Sequence, residues 1–167
     1  MKRYRGWIIF LVFIALCSGG IWLTLRVTAE YPAIGEPVSD PVNQVGGFEL
    51  TIEEPSWSPF QGYTIRWTVT ADSKEVYSFI SDGPGFEYLE RRVNGQWYRL
   101  GYSQDVFPFN RTEFTLGGGE SASLEGSIVQ KYAYYGTRLE AGAYRVVLEM
   151  NAADGALHYL AAEFNVE

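Results

Sequence analysis

Cysteine and histidine are almost absent: the 167 residues hold one of each, Cys17 and His158. A single cysteine excludes an internal disulfide framework and a cysteine-based metal cluster, and a single histidine excludes a multi-histidine zinc site. A Ser/His/Asp hydrolase would have to be built on His158, which sits between Leu157 and Tyr159, and no G-x-S-x-G elbow occurs anywhere. Positive charge is short as well. Thirteen Lys and Arg face twenty Asp and Glu, for a net charge of -7, so the concentrated basic surface that nucleic acid requires is missing. No stretch after residue 26 keeps a 3.6-residue apolar period, which argues against any long helix there. Aromatic residues are plentiful by contrast. Five Trp, 12 Tyr and 10 Phe can fill a core in a chain whose length suits one domain.

The charges are unevenly placed. Lys2, Arg3, Arg5 and Arg26 are the only charged residues among the first 26, which leaves nine basic against all twenty acidic residues in the remainder, a charge of -11. Between Arg5 and Arg26 lies an uncharged stretch, Gly6 to Leu25. As a helix it is about 30 Å long, the thickness of a bilayer's hydrocarbon core. Trp7 and Trp22 fall near its ends, where interfacial tryptophans concentrate, and Lys2, Arg3 and Arg5 place the N-terminus in the cytoplasm. The expectation is a cytoplasmic basic tail (1–5), a transmembrane signal anchor (6–26) and an extracytoplasmic remainder. Val27-Thr28-Ala29 also offers small residues for signal peptidase, so secretion after cleavage behind Ala29 stays open. Cys17 follows the bulky Leu16 where a lipoprotein signal would have a small residue, and reads as a small apolar member of the helix.

Residues 27–46 contain Pro32, Pro37 and Pro41 without periodicity and read as a semi-extended linker. From residue 47 the pattern becomes short alternating runs: Phe48–Ile52, Tyr63–Thr70, Glu75–Ile80, Tyr88–Val93, Gln96–Leu100, Glu113–Leu116, Ser121–Ile128, Tyr144–Met150 and Leu157–Val166. Asn94-Gly95 between two of them predicts a type I′ hairpin turn, because both central residues need positive φ. Such runs, with turn chemistry between them, predict an all-β antiparallel sandwich of seven to nine strands over 47–167. Gly142-Ala143-Tyr144 at the entrance to an apolar strand predicts a tyrosine corner, the Tyr144 hydroxyl bonding back to upstream backbone. With no disulfide, the core must rest on packed aromatics such as Trp67.

Taken in order, Val93-Asn94-Gly95-Gln96-Trp97-Tyr98, Gly119-Glu120-Ser121, Tyr134-Tyr135-Gly136, Leu139 and Gly142-Ala143-Tyr144-Arg145-Val146, with a closing Tyr159–Phe164, resemble the bacterial immunoglobulin-like domains of envelope proteins. Gly118-Gly119 stands where that family usually shows Pro-Gly. The resemblance implies an immunoglobulin-like sandwich and no general catalytic residues, and its motifs concern turns and packing.

No constellation for catalysis emerges. Glu53 and Glu54 are adjacent, so on a strand they face opposite sides. Asn151–Gly155 holds one carboxylate, too few for a calcium loop. No enzyme activity, cofactor or metal is expected. The aromatics outside clear strand cores stand out instead. Trp57 and Phe60 lie in one loop, Tyr102, Phe107 and Phe109 in a second, and Tyr132, Tyr134 and Tyr135 in a third. Rings on loops at a sandwich end can grip a protein or stack a sugar, or simply cap the core. The leading expectation is a protein–protein interaction or accessory module of the cell envelope. A carbohydrate or cell-wall binding module and a proteinase inhibitor-like domain are the alternatives.

Overall fold

The computed structural model describes residues 31–81, 87–101, 112–119, 121–130, 134 and 137–167, all in the unit Tyr31–Glu167. The predicted membrane span, 6–26, with Cys17, lies outside the described residues; among those described, no helix is long and apolar enough to cross a membrane.

The described residues form eleven strands: β1 (Ile34–Val38), β2 (Phe48–Ile52), β3 (Ser56–Ser58), β4 (Gly62–Ala71), β5 (Val76–Ser81), β6 (Glu87–Val93), β7 (Gln96–Leu100), β8 (Thr112–Gly117), β9 (Ala122–Val129), β10 (Gly142–Ala152) and β11 (Leu157–Val166). Nine coincide with the alternating runs. The two additional strands are β1, inside the proline-spaced stretch, and the three-residue β3. All pairing is antiparallel and falls into two sheets. In the smaller one, β4 is central. It pairs with β9 from Thr64↔Val129 to Ala71↔Ala122, while its other edge is shared by β2 and β3. In the larger one β10 is central, paired along its length with β11 and on its other edge with β6 and then β5. The sheet continues from β6 through β7 to β1, and from β5 to β8.

Alternation explains the core. Ile65, Trp67 and Val69 of β4 meet Tyr144, Val146, Leu148 and Met150 of β10 in one apolar cluster with Leu89 and Leu160. Each such side chain contributes about 1.5–3 kcal/mol when fully buried. Trp67 lies directly opposite Gly126, and a Cβ built at Gly126 would overlap the indole ring. Gly126→Ala is therefore expected to destabilise the domain by about 1–3 kcal/mol through overpacking; a urea titration with an unchanged midpoint would contradict this packing. The β6–β7 hairpin turns through Asn94 (φ 51°) and Gly95 (φ 85°), closed by Val93↔Gln96, the backbone a type I′ turn demands. At the entrance to β10 the Tyr144 hydroxyl donates to the Glu140 carbonyl at 2.7 Å. Burial pushes that phenol up to about 12, so it keeps its proton and stays a donor.

One face departs from simple alternation. Arg145 and Val147 of β10 point away from the core but are 6% and 2% exposed, and Glu90 beside them on β6 is fully buried. The proline-spaced stretch is attached at both sides of this sheet. Val38 pairs with Trp97 at one side of the sheet. Five residues on, Asn43 bonds the free edge of β11: its amide N–H donates to Tyr159 O (2.8 Å), its Nδ2 to Ala161 O (3.0 Å), and Ala161 N–H donates to its Oδ1 (2.8 Å). Ser39–Val42 therefore carry the chain from one side of the sheet to the other as a strap.

Candidate functional site

The loop aromatics separate into exposed and buried groups. Trp57 sits on β3 opposite Tyr63, and Ser58↔Gly62 closes the hairpin around Phe60. Ser58 Oγ accepts the Gln61 N–H at 3.1 Å and tightens the turn. Trp57 is 41% exposed and Phe60 76% exposed. Trp57 is nevertheless held on two sides. Its Nε1–H donates to Thr137 O at 2.9 Å, and the Arg138 guanidinium lies 4.6 Å from its ring centre.

Buried Gln130 positions that pair. Its Oε1 accepts the Tyr63 N–H at 3.1 Å, and its Nε2 donates to Arg138 O at 2.7 Å. The side chain thus ties the start of β4 to the segment that supplies both partners of Trp57. Gly62 packs against Gln130 and Thr137. The result is an apolar ring with a cation stacked on it, fixed by backbone bonds, beside an exposed phenyl ring at a hairpin tip. Aromatic and arginine side chains presented this way dominate binding energy at protein interfaces, and a guanidinium stacked on an indole contributes about 0.5–1 kcal/mol at an exposed site.

Tyr134 is corrected from surface to core. It is fully buried, its N–H donates to Gln130 O (2.7 Å), and its hydroxyl accepts the Leu89 N–H of β6 (2.7 Å). Its ring spans the space between the sheets, so it caps the core instead of meeting a partner. Tyr102, Phe107, Phe109, Tyr132 and Tyr135 lie outside the described residues.

The larger sheet carries a cluster that sequence reasoning missed. Glu90 faces Arg145 and Arg99 on the neighbouring strands. Arg145 Nε and Nη2 both lie 2.7 Å from Glu90 Oε2, while Arg99 Nε is 3.9 Å from Glu90 Oε1. Arg145 stacks on Trp97 at 4.5 Å and Arg99 on Tyr88 at 3.8 Å. Tyr88 in turn donates to Glu149 Oε2. The chemistry is that of a structural ion-pair layer, its carboxylate held by guanidinium groups. The one signal in the sequence is the run Glu90-Arg91-Arg92, which sits in a strand otherwise flanked by apolar residues.

The remaining polar candidates have local duties. His158 packs edge-on to Tyr77 at 5.7 Å, Glu53 pairs with Arg66 at the surface, and Asp154 Oδ1 accepts the Ala156 N–H within the β10–β11 turn. Among the described residues, no group of three His, Cys, Asp or Glu side chains is placed to hold a metal ion. Neither a family model nor a curated protein matches the chain.

Proposed function

We propose that this chain is a membrane-anchored, extracytoplasmic protein with one immunoglobulin-like sandwich, acting as a non-catalytic protein–protein interaction module of a bacterial cell envelope. The immunoglobulin-like assignment draws support from the pairing order: β4 between β2 and β9 in one sheet, and β11–β10–β6–β7 in the other, alongside the corner at Tyr144. The anchor draws support from the uncharged 20-residue stretch behind Lys2, Arg3 and Arg5. The observation that carries the functional reading is the Trp57–Arg138 stack with Phe60 beside it, exposed yet fixed in place.

A photocrosslinking residue at Phe60 of the full-length protein in cells tests it. The expected result is one protein adduct of constant mass, lost on Trp57→Ala. Phe60→Ala is expected to leave stability within about 0.5 kcal/mol, as for an exposed side chain. Crosslinking to wall glycan without a protein adduct would transfer the site to the carbohydrate reading. Adducts unaffected by Trp57→Ala would remove the site altogether.

A further inference from the structure

The sheet edges are protected unequally. β1 carries Pro37 and an irregular register between Ile34 and Pro37, the edge made by β2 and β3 is interrupted between Ile52 and Ser56, where Pro55 lies, and the free edge of β11 is capped by Asn43. Such devices keep a strand from pairing with a foreign one. β9 has none of them. Its register with β4 runs through eight consecutive pairs, it contains neither proline nor lysine, and its other edge pairs with no strand among the described residues.

The groups it offers follow from parity. In antiparallel strands, alternate residues direct N–H and C=O to opposite sides. Arg66 O accepts from Glu53 N, and Asp72 N donates to Gly47 O, so even-numbered residues of β4 face β2. Tyr63 N, of the other parity, reaches Gln130 beyond the end of β9. Ile65, Trp67 and Val69 therefore bond Ile128, Gly126 and Leu124 of β9. That leaves the N–H and C=O of Ser123, Glu125, Ser127 and Val129 directed outward.

Two observations specify an occupant. Phe114 on β8 points to the same side as buried Leu116 and pairs with fully buried Phe79, yet is 41% exposed; β8 approaches β9, and a strand added there would extend the smaller sheet over Phe114. The one charged side chain on β9 is acidic: Glu125 is exposed. Across β4, at the opposite edge of the sheet, Glu49 is exposed too, and the sole cation in β2, β3, β4 and β9, Arg66, is already paired with Glu53 at 3.6 Å.

We propose that β9 is a docking edge for an extended basic segment of a partner protein, which places lysine or arginine beside Glu125 and an apolar residue over Phe114. A second copy of this chain fits poorly. Antiparallel β9–β9 pairing would bring two Glu125 side chains together between domains that are both strongly acidic. The edge is separate from the Trp57 hairpin, so either surface can fail without the other.

The test uses the full-length protein in nanodiscs, residue-resolved hydrogen exchange, and two synthetic ten-residue peptides, one alternating valine with lysine and one alternating valine with glutamate. In the protein alone, the amides of Ser123, Glu125 and Ser127 should exchange fast while those of Leu124, Gly126 and Ile128 are protected. The lysine peptide should slow the outward set about tenfold or more at saturation, and the glutamate peptide should not. Ser127→Pro removes an outward N–H without touching the β4 ladder and should abolish the slowing; Glu125→Lys should weaken the lysine peptide about fivefold. Outward amides protected without peptide would overturn the proposal, with protection independent of protein concentration assigning the edge to the chain's own residues and protection rising with concentration assigning it to a second copy. Slowing by neither peptide, or by both equally, would also overturn it.

Discussion

Replacing Glu90 by alanine is expected to remove about 3–5 kcal/mol of folding stability, the largest loss of any single polar substitution proposed for this domain. The reason lies in what remains. Glu90 has a 1% exposed side chain, and Arg145, bonded to its Oε2, is only 8% exposed at the side chain. Without the carboxylate, Arg145 becomes a buried cation with no counter-charge. Arg99 also loses its nearest anion. The double variant Glu90→Leu/Arg145→Met removes both charges and is expected to recover most of the loss, since buried ion pairs rarely outperform apolar residues of similar volume. Urea unfolding of the two single variants and the double variant measures the coupling. A double variant as unstable as the sum of the singles would show that packing on Trp97, and not charge compensation, governs the layer.

Glu87→Gln is expected to act in the opposite direction, and only at neutral and higher pH. Glu87 opens β6 and faces the core, where its Oε2 accepts the Trp67 Nε1–H at 2.8 Å. Burial pushes its carboxyl up from 4.5 to about 7, against the lowering effect of that hydrogen bond. The folded state therefore holds this proton more tightly than the unfolded chain does. Its contribution to stability is complete below about pH 4.5 and is lost as pH rises to and through about 7. The difference corresponds to about 3 kcal/mol by pH 8. Glutamine keeps an oxygen for Trp67 and carries no charge. The variant should match the parent near pH 4 and exceed it by about 2–3 kcal/mol at pH 8. A stability difference that stays constant across this range would place the titration elsewhere.

Most of the strands were legible because alternation is a local property. Phe48–Ile52 and Tyr63–Thr70 show it cleanly, and Asn94-Gly95 marks its turn by backbone conformation alone. The failures share a cause: each depends on a neighbour distant in the chain. Ile34–Val38 contains a glycine and a proline, so its strand character comes from pairing with β7 and not from propensity. Arg145 alternates with apolar residues as a solvent-facing residue would, and is buried between Glu90 and Trp97, which come from other strands. Tyr134 lies among other aromatics in the sequence, and nothing local distinguishes it from an exposed ring; its partner, the Leu89 amide, is 45 positions away. For the aromatic site, Trp57 and Phe60 could be named from their proline-flanked loop, but Arg138, which completes it, follows Thr137, itself 80 positions further along the chain.

The strap also determines how the domain bears tension. A pull applied at Tyr31 reaches β1 first, where it is opposed by the pairing with β7 and by the Gly101 N–H bond to Ala33 O. Behind β1 it meets Asn43, clamped to β11 by three hydrogen bonds. Only after both have yielded does load pass to β2 and the smaller sheet. The two attachments act in series: releasing both frees about a dozen residues, roughly 40 Å of extended chain, while the pairing of β4 with β9 and of β10 with β11 is still intact.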